Sequence, residues 1–243
     1  AYAGDEGAAI ALDGATAADP DGDPLGLVWS VDEPSLCSFS DATALATELT
    51  CDDDGDFVVT LTVDDGVSDP VTSDATVAVA NVAPTVGPVS IPAGPVAIDA
   101  QPITGVGAPF ADPGTADTHT CAVDFGDGTG YHAGTADSGA CVGPSYTYAA
   151  PGVYSVTVAV LDDDGGVGYA AAVPLLVVYA PTGGLVTGAG WFDSPVGAYA
   201  AAPAHGGKAT FGFMATYETS GSTPTGSVTF LIPSAGLRFA GGD

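Results

Sequence analysis

The sequence predicts an all-β protein of sandwiches in tandem, followed by a third β-rich module. Three observations carry this expectation. Gly, Ala, Val and Thr dominate over Leu, Lys and Glu, which suits short strands joined by turns. No stretch sustains a capped helical period, whereas Phe57 to Val63 and Tyr154 to Val160 alternate with a period of two. The two runs also repeat one another. Phe57, Val59, Leu61 and Val63 correspond to Tyr154, Val156, Val158 and Val160 at an offset of 97, and Trp29 corresponds to Val123 at 94, with a three-residue indel between.

The first repeat opens with a strand over Ala8 to Leu12 and a turn at Asp13-Gly14. An acidic loop, Ala18 to Pro24, leads into Leu25 to Val31. Cys37 and Cys51 flank a loop, and Asp52 to Asp56 read as a solvated acidic turn because their spacing matches no ligand template. The alternating strand from Phe57 ends at Asp64-Asp65-Gly66, and Thr76 to Ala80 is the last strand. Asn81 to Thr85 is a stiff extended linker, since Pro84 fixes its own φ and disfavours helix before it. In the second repeat, Gly126 and Gly128 supply turn conformations within Val123 to Thr129. Tyr154 to Leu161 read as one half-buried strand, with Tyr154, Val156, Val158 and Val160 on one face and Ser155, Thr157 and Ala159 on the other. Beyond about Ala180 only Asp193, Glu218 and Asp243 remain acidic and both basic residues appear. The expected modules are therefore 1–80, 81–180 and 181–243.

The FGDGT turn, the YTYAAPGVYSVTVAV run and the LDDDGG ending together resemble a PKD domain, an Ig-like β-sandwich common on extracellular proteins, from about Val82 to Tyr179. The first repeat, with EGAAIALDG, ADPDGDPL, Trp29 and FVVTLTVDDG, is similar to the PKD-like and cadherin-like repeats of bacterial surface proteins, without the GDG turn. The last stretch resembles a β-rich C-terminal module that follows PKD repeats in some secreted bacterial proteins. That pattern continues past Phe239, so the module is expected to be incomplete here. An unfinished sheet would expose strand edges that template pairing with a neighbouring subunit.

Charge narrows the partners. The net charge is −28, and Lys208 and Arg238 are the only basic residues. Nucleic acids and anionic lipid surfaces need Lys or Arg and are excluded. The longest apolar run, Ala170 to Ala180, contains Pro174 and is far shorter than the roughly 20 residues of a membrane span, so no membrane insertion is expected. Four cysteines allow three pairings. The local one, Cys37–Cys51 and Cys121–Cys141, keeps each bridge inside one repeat, while zinc lacks a C-x-x-C and has few histidines to draw on. Disulfides imply an oxidising compartment and hence an exported protein. The start at Ala1, without Met or a leader pattern, reads as a processed form or a piece of a longer chain.

Calcium is the expected cofactor. Asp19, Asp21 and Asp23 stand at alternate positions around Gly22, so their carboxylates can converge on a hard cation, with Asp64 and Asp65 at the end of the neighbouring strand. The second-repeat equivalents are Asp112, Asp162 and Asp164. Similarity to calcium-binding PKD domains implies Asp65 and Asp162 as ligands. The competing reading is that these are ordinary Asp-Gly turns, as Asp124 and Asp127 are taken to be. No G-x-S-x-G, H-E-x-x-H or phosphate loop is present. Trp191, Phe192, Tyr199, Phe211, Phe213 and Tyr217 offer a carbohydrate-stacking face, with core packing the alternative that the period-two placement of Phe211 and Phe213 favours. The expected function is non-catalytic: a rod-like, calcium-stiffened structural or adhesive segment outside the cell. Its expected partners are copies of itself or other surface proteins. An accessory module of a secreted hydrolase, or a polysaccharide binder, is the alternative.

Overall fold

The computed structural model describes residues 1–20, 22–181, 184–217 and 225–242. Contacts divide the chain into two compact units. The first holds Ala1–Pro84, Asp112–Thr118 and Leu161–Val167; the second holds Thr85–Ala111, His119–Val160 and Gly168–Asp243. The described residues are β-structure and loops, with two three-residue 3₁₀ turns, and no helix among them is long and apolar enough to cross a membrane.

In the first unit, strands β1 (Tyr2–Asp5), β2 (Ile10–Leu12), β3 (Gly26–Val31), β4 (Cys37–Phe39), β5 (Thr47–Cys51), β6 (Gly55–Asp64) and β7 (Val71–Ala80) form a sandwich. One sheet has the order β1-β7-β6-β3 and the other β2-β5-β4. The alternation in β6 does what its pattern predicts: Phe57, Val59 and Leu61 are buried, while Val58 faces out. Each such side chain contributes about 1.5–3 kcal/mol on burial. They pack with Leu12, Trp29, Leu49 and Val77 around the Cys37–Cys51 bridge. The Trp29 indole N–H, which burial would otherwise leave unsatisfied, donates to the Ala44 carbonyl at 2.9 Å.

The second repeat contributes β8 (Thr85–Val86), β9 (Val96–Ala97), β10 (Gly107–Ala111), β11 (Thr120–Asp124), β12 (Tyr131–Ala133), β13 (Thr135–Asp137), β14 (Ala140–Val142), β15 (Gly152–Tyr154), β16 (Thr157–Leu161), β17 (Val167–Ala171) and β18 (Leu176–Tyr179). Their sheets run β13-β14-β10-β8, β12-β11-β16-β17 and β15-β18-β9. Val123, Phe125, Tyr148, Val156, Val158 and Val160 centre the core, beside the Cys121–Cys141 bridge. Val123 is buried as its repeat partner Trp29 is.

The single strand expected over Tyr154 to Leu161 is two. β15 pairs with β18, the chain leaves the ladder at Ser155 and Val156, and β16 joins a different sheet. Gly126 explains the break. Its φ is +78°, and a Cβ there would collide with the Ser155 carbonyl oxygen, so the FGDGT turn lies directly on the Ser155 backbone. Nor is β16 half-buried, because Ala159 is enclosed along with Val158 and Val160.

The last four strands, β19 (Gly184–Ser194), β20 (Gly207–Tyr217), β21 (Thr225–Ile232) and β22 (Leu237–Gly242), form an antiparallel meander in that order. Its contact with the second sandwich is apolar: Met214 and Leu231 cluster with Val153, Leu175 and Val177. Gly212 lets Val153 approach, since a Cβ there would stand 2.5 Å from a Val153 methyl.

Each bridge closes a loop, of 14 residues for Cys37–Cys51 and 20 for Cys121–Cys141. Replacing Cys121 and Cys141 together by Ser is expected to lower the unfolding free energy by about 3 kcal/mol. Urea denaturation measures this, and a midpoint equal to that of the parent protein would refute it.

Candidate metal centre

Carboxylates gather at one end of the first unit, and backbone hydrogen bonds put them there. β1 runs parallel to β7 with Asp5 opposite Ala80, and the next amide, of Glu6, donates to the Ala80 carbonyl at 3.0 Å. The Gly7 amide donates to Cys51 at 2.8 Å, drawing the end of β1 against the Asp52–Asp54 turn. The Ala116 amide donates to Asp52 at 2.9 Å, which brings in the loop that carries Asp112 and Asp117. Asp163 accepts from the Thr118 amide at 2.8 Å, tying that loop to the Asp162–Gly166 turn.

The side chains then divide into atoms that find donors and atoms that do not. Glu6 Oε1 accepts from the Val82 amide of the linker at 2.7 Å. Asp162 Oδ1 accepts from the Gly166 amide at 2.6 Å, from Asp164 at 3.1 Å and from Asn81 Nδ2 at 3.2 Å. Left buried without a donor are Glu6 Oε2, Asn81 Oδ1, both Asp117 oxygens and Asp162 Oδ2. Glu6 is 1% exposed and Asp162 7%. Buried acceptors with no donor are costly, and a hard cation would offset that cost.

Two trios in this unit have the geometry for such an ion: Glu6 with Asp53 and Asp54, and Asp53 with Asp117 and Asp164. One oxygen from each member lies within 4.8 Å of the others, the widest separation of two oxygens bound about 2.4 Å from a shared ion. The donors in both are all oxygen, which suits calcium and not zinc.

The electrostatics agree. Burial, then the charges of Glu6, Asp112, Asp53 and Asp163, push Asp117 up to about 7. Glu6 is raised by burial and by Asp112, Asp54 and Asp53, against the opposing Val82 hydrogen bond. Asp164 is raised by the same causes, with Asp54, Asp163 and Asp53 as its neighbours.

Of the residues expected from sequence, Asp112, Asp162 and Asp164 are at this end. Asp64 and Asp65 are at the other end of β6, about 30 Å away at the usual rise per strand residue. There Asp19 and Asp65 line one cleft of about 530 Å³ with Leu25, Leu61 and Asp69. Their recorded bonds are those of turns. Asp65 Oδ1 accepts from Val67 and Ser68 at 2.8 and 2.7 Å, Asp64 Oδ1 from Gly66 at 2.7 Å, and Asp19 Oδ1 from Asp23 at 3.1 Å. Asp21 lies outside the described residues. Asp124 and Asp127 cap their own turns, accepting from the Gly126 and Thr129 amides at 2.8 and 3.1 Å, and Tyr146 donates to Asp127 at 2.6 Å.

Sequence reasoning missed Glu6, Asn81, Asp53, Asp54 and Asp117, and it took Asp52–Asp56 for a solvated turn. Asp53 and Asp54 are half-buried and lie among the other carboxylates, which corrects that reading for these two, while Asp52 and Asp56 are exposed as expected. The aromatics of the last module divide between the two faces of the meander. Strand register puts Trp191 opposite Thr210, on the face bearing Lys208, whose ammonium lies 4.2 Å from the indole centre. Phe192, Phe211 and Phe213 are on the reverse face. The expected core role for Phe211 and Phe213 does not hold either: Phe213 is 39% exposed, the two rings cover Gly190 and Gly188 of β19, and Met214 is the buried neighbour. Tyr217 side-chain placement lies outside the described residues.

Residues 85–175 match the family model described as PKD domain. No curated protein matches the chain. Among solved structures, human protocadherin-24 EC1-2 is similar at 17% identity over 68% of this chain and 85% of that one, with a TM-score of 0.29. Drosophila N-cadherin EC1-3 is similar at 12% identity over 86% and 88%, with a TM-score of 0.33. Mouse cadherin-23 EC22-24 is similar at 14% identity over 99% and 92%, with a TM-score of 0.30.

A carboxyl group raised in the folded state holds a proton there that the unfolded chain has lost, so stability falls as pH rises from about 4 towards 7. The melting temperature of the metal-free protein is therefore expected to be higher at pH 5.5 than at pH 7.5. Asp117→Asn is expected to raise the value at pH 7.5 and flatten the dependence. A melting temperature that increases with pH over this range would contradict the assignment.

Proposed function

We propose that this chain is a non-catalytic structural or adhesive segment of an extracellular assembly, stiffened by calcium held at the carboxylate cluster of its first unit. The observation that carries this reading is the set of buried oxygens on Glu6, Asn81, Asp117 and Asp162 with no hydrogen-bond donor. Calcium there would lock three otherwise separate pieces together: the linker at Asn81–Val82, the Asp112–Thr118 loop and the Asp162–Gly166 turn. The PKD match over residues 85–175 and the two disulfides support a location outside the cell.

Assembly with further copies, or with other surface proteins, would use sheet edges. β22 is an outer strand of its meander with four of its six residues exposed, so its backbone can accept another strand by β-augmentation. The carboxylates at Asp19, Asp23, Asp64 and Asp65 would make a second, weaker cation site at the other end of β6, since their recorded bonds already satisfy part of their acceptor capacity.

A ligand that binds only the folded state raises stability by mass action, about 2.7 kcal/mol at a free concentration one hundred times its Kd. Millimolar Ca²⁺ is therefore expected to raise the melting temperature of the metal-free protein by several degrees, and EDTA to reverse the change. Glu6→Gln should remove most of the shift, while Asp65→Asn should retain it. A melting temperature indifferent to both Ca²⁺ and EDTA would remove the calcium reading.

A further inference from the structure

The last module is a four-stranded sheet with apolar side chains on both faces. One face is docked on the second sandwich through Met214 and Leu231. The other is built in cross-strand rows. One row reads Gly190, Phe211, Phe230 and Phe239 from β19 to β22. The next reads Gly188, Phe213, Val228 and Gly241, and Val186 and Phe192 stand on either side of the two rows on β19. Among the described residues this face carries no ionisable side chain, whereas Asp193, Lys208 and Arg238 all stand on the docked side. An antiparallel sheet with one face in water normally places its charges on that face. Here they are on the other, and Val186, Phe192, Phe213, Val228 and Phe239 are exposed. From this inversion we infer that the outward face of the meander is a dimer interface, covered by the same face of a second copy of this chain. The inference goes beyond the strand-edge assembly proposed above and does not involve calcium.

Charge favours a second copy as the occupant. All the acidic residues except Asp193, Glu218 and Asp243 precede residue 181, and no Lys or Arg does. Two copies meeting through those first residues would repel one another. The last module, with three acidic and two basic residues, is the part of the chain through which they can approach.

Shape and area favour it as well. The Phe213 and Phe211 rings cover Gly188 and Gly190, where a Cβ would stand 2.8 and 2.9 Å from them. The rings thus lie along the sheet, which suits packing of one sheet on another at about 10 Å. A hollow of about 290 Å³, lined in part by Ala215, Gly226, Val228 and Gly241, offers room for a side chain of the partner. An isologous contact needs projections and hollows on one patch, and this patch has both. Four strands about 4.8 Å apart, over roughly eight residues of about 3.4 Å each, present about 500 Å² of face. Two such faces together bury about 1,000 Å², the lower bound for a specific interface, which fits a reversible dimer.

The test is sedimentation equilibrium of the 243-residue chain in EDTA and about 0.15 M NaCl, over a range of concentrations. A monomer–dimer equilibrium with a Kd on the order of 1–100 μM is expected. Phe192→Lys and Phe239→Lys each put a charge into the contact at an exposed position, and each should weaken the dimer about tenfold or more. Trp191→Lys adds the same charge on the docked side and should leave the dimer unchanged. Val186→Lys repeats the test should either Phe variant fold poorly. A chain that stays monomeric throughout, or a dimer indifferent to F192K, F239K and V186K alike, would overturn the inference. Growth beyond two copies that these variants leave intact would overturn it too, in favour of strand-edge pairing, since a face-to-face contact closes at two. With calcium removed by EDTA, each of these outcomes is separate from the calcium reading.

Discussion

The constraint on which the first unit depends is the mutual repulsion of clustered carboxylates, two of them buried, with no lysine or arginine among the first 207 residues to neutralise them. Positions 1 to 207 contain neither Lys nor Arg. Glu6, Asp53, Asp54, Asp112, Asp117 and Asp162 to Asp164 nonetheless occupy one end of the same compact unit. Part of the compensation is dipolar: the Val82 amide on Glu6, the Asn81 amide group and two backbone N–H groups on Asp162. Each satisfies one oxygen and leaves its twin exposed to the others. Either protons or cations relieve the repulsion in such an arrangement.

The two units are held together internally by different physical means. In the first unit the linker and the loops 112–118 and 161–167 are tied by amide-to-carboxylate bonds and by the acidic cluster. In the second unit the meander is seated on Val153, Leu175 and Val177 through Met214 and Leu231. The repeat offset shows how this difference arises. Asp53 and Asp54 correspond to Ala150 and Pro151, so the second repeat lacks the turn carboxylates of the first. An apolar contact is insensitive to cations and only weakly sensitive to salt, whereas a carboxylate cluster responds to both. On the proposed reading, rigidity in the first unit would depend on the ionic environment, whereas the apolar contact in the second would not.

Much of this fold is legible in the sequence because its signals are local. The period-two run from Phe57 names its own buried face, and the repeat at 97 residues places Val156, Val158 and Val160 in the second core. The break at Ser155 was not legible, because its cause is the FGDGT turn, 29 residues upstream at Gly126. The carboxylate cluster was half legible for the same reason. Asp162 and Asp164 stand in a recognisable acidic ending, and Asp112 in an Asp-Pro-Gly turn. Glu6, Asp53 and Asp117 come from three distant segments, each with a local context that reads as an ordinary turn. What distinguishes them is burial without donors, a property of the assembled unit. Asp19 and Asp65 have the better local pattern, yet their carboxylates are engaged in capping their own turns.

The most direct measurement is X-ray diffraction from crystals grown with calcium, with anomalous difference maps used to locate the ions. The account predicts an anomalous peak at the Glu6–Asp53–Asp54 end of the first unit, about 2.3–2.6 Å from the carboxylate oxygens that hold the ion. Crystals saturated with calcium that show only water among these carboxylates would contradict it.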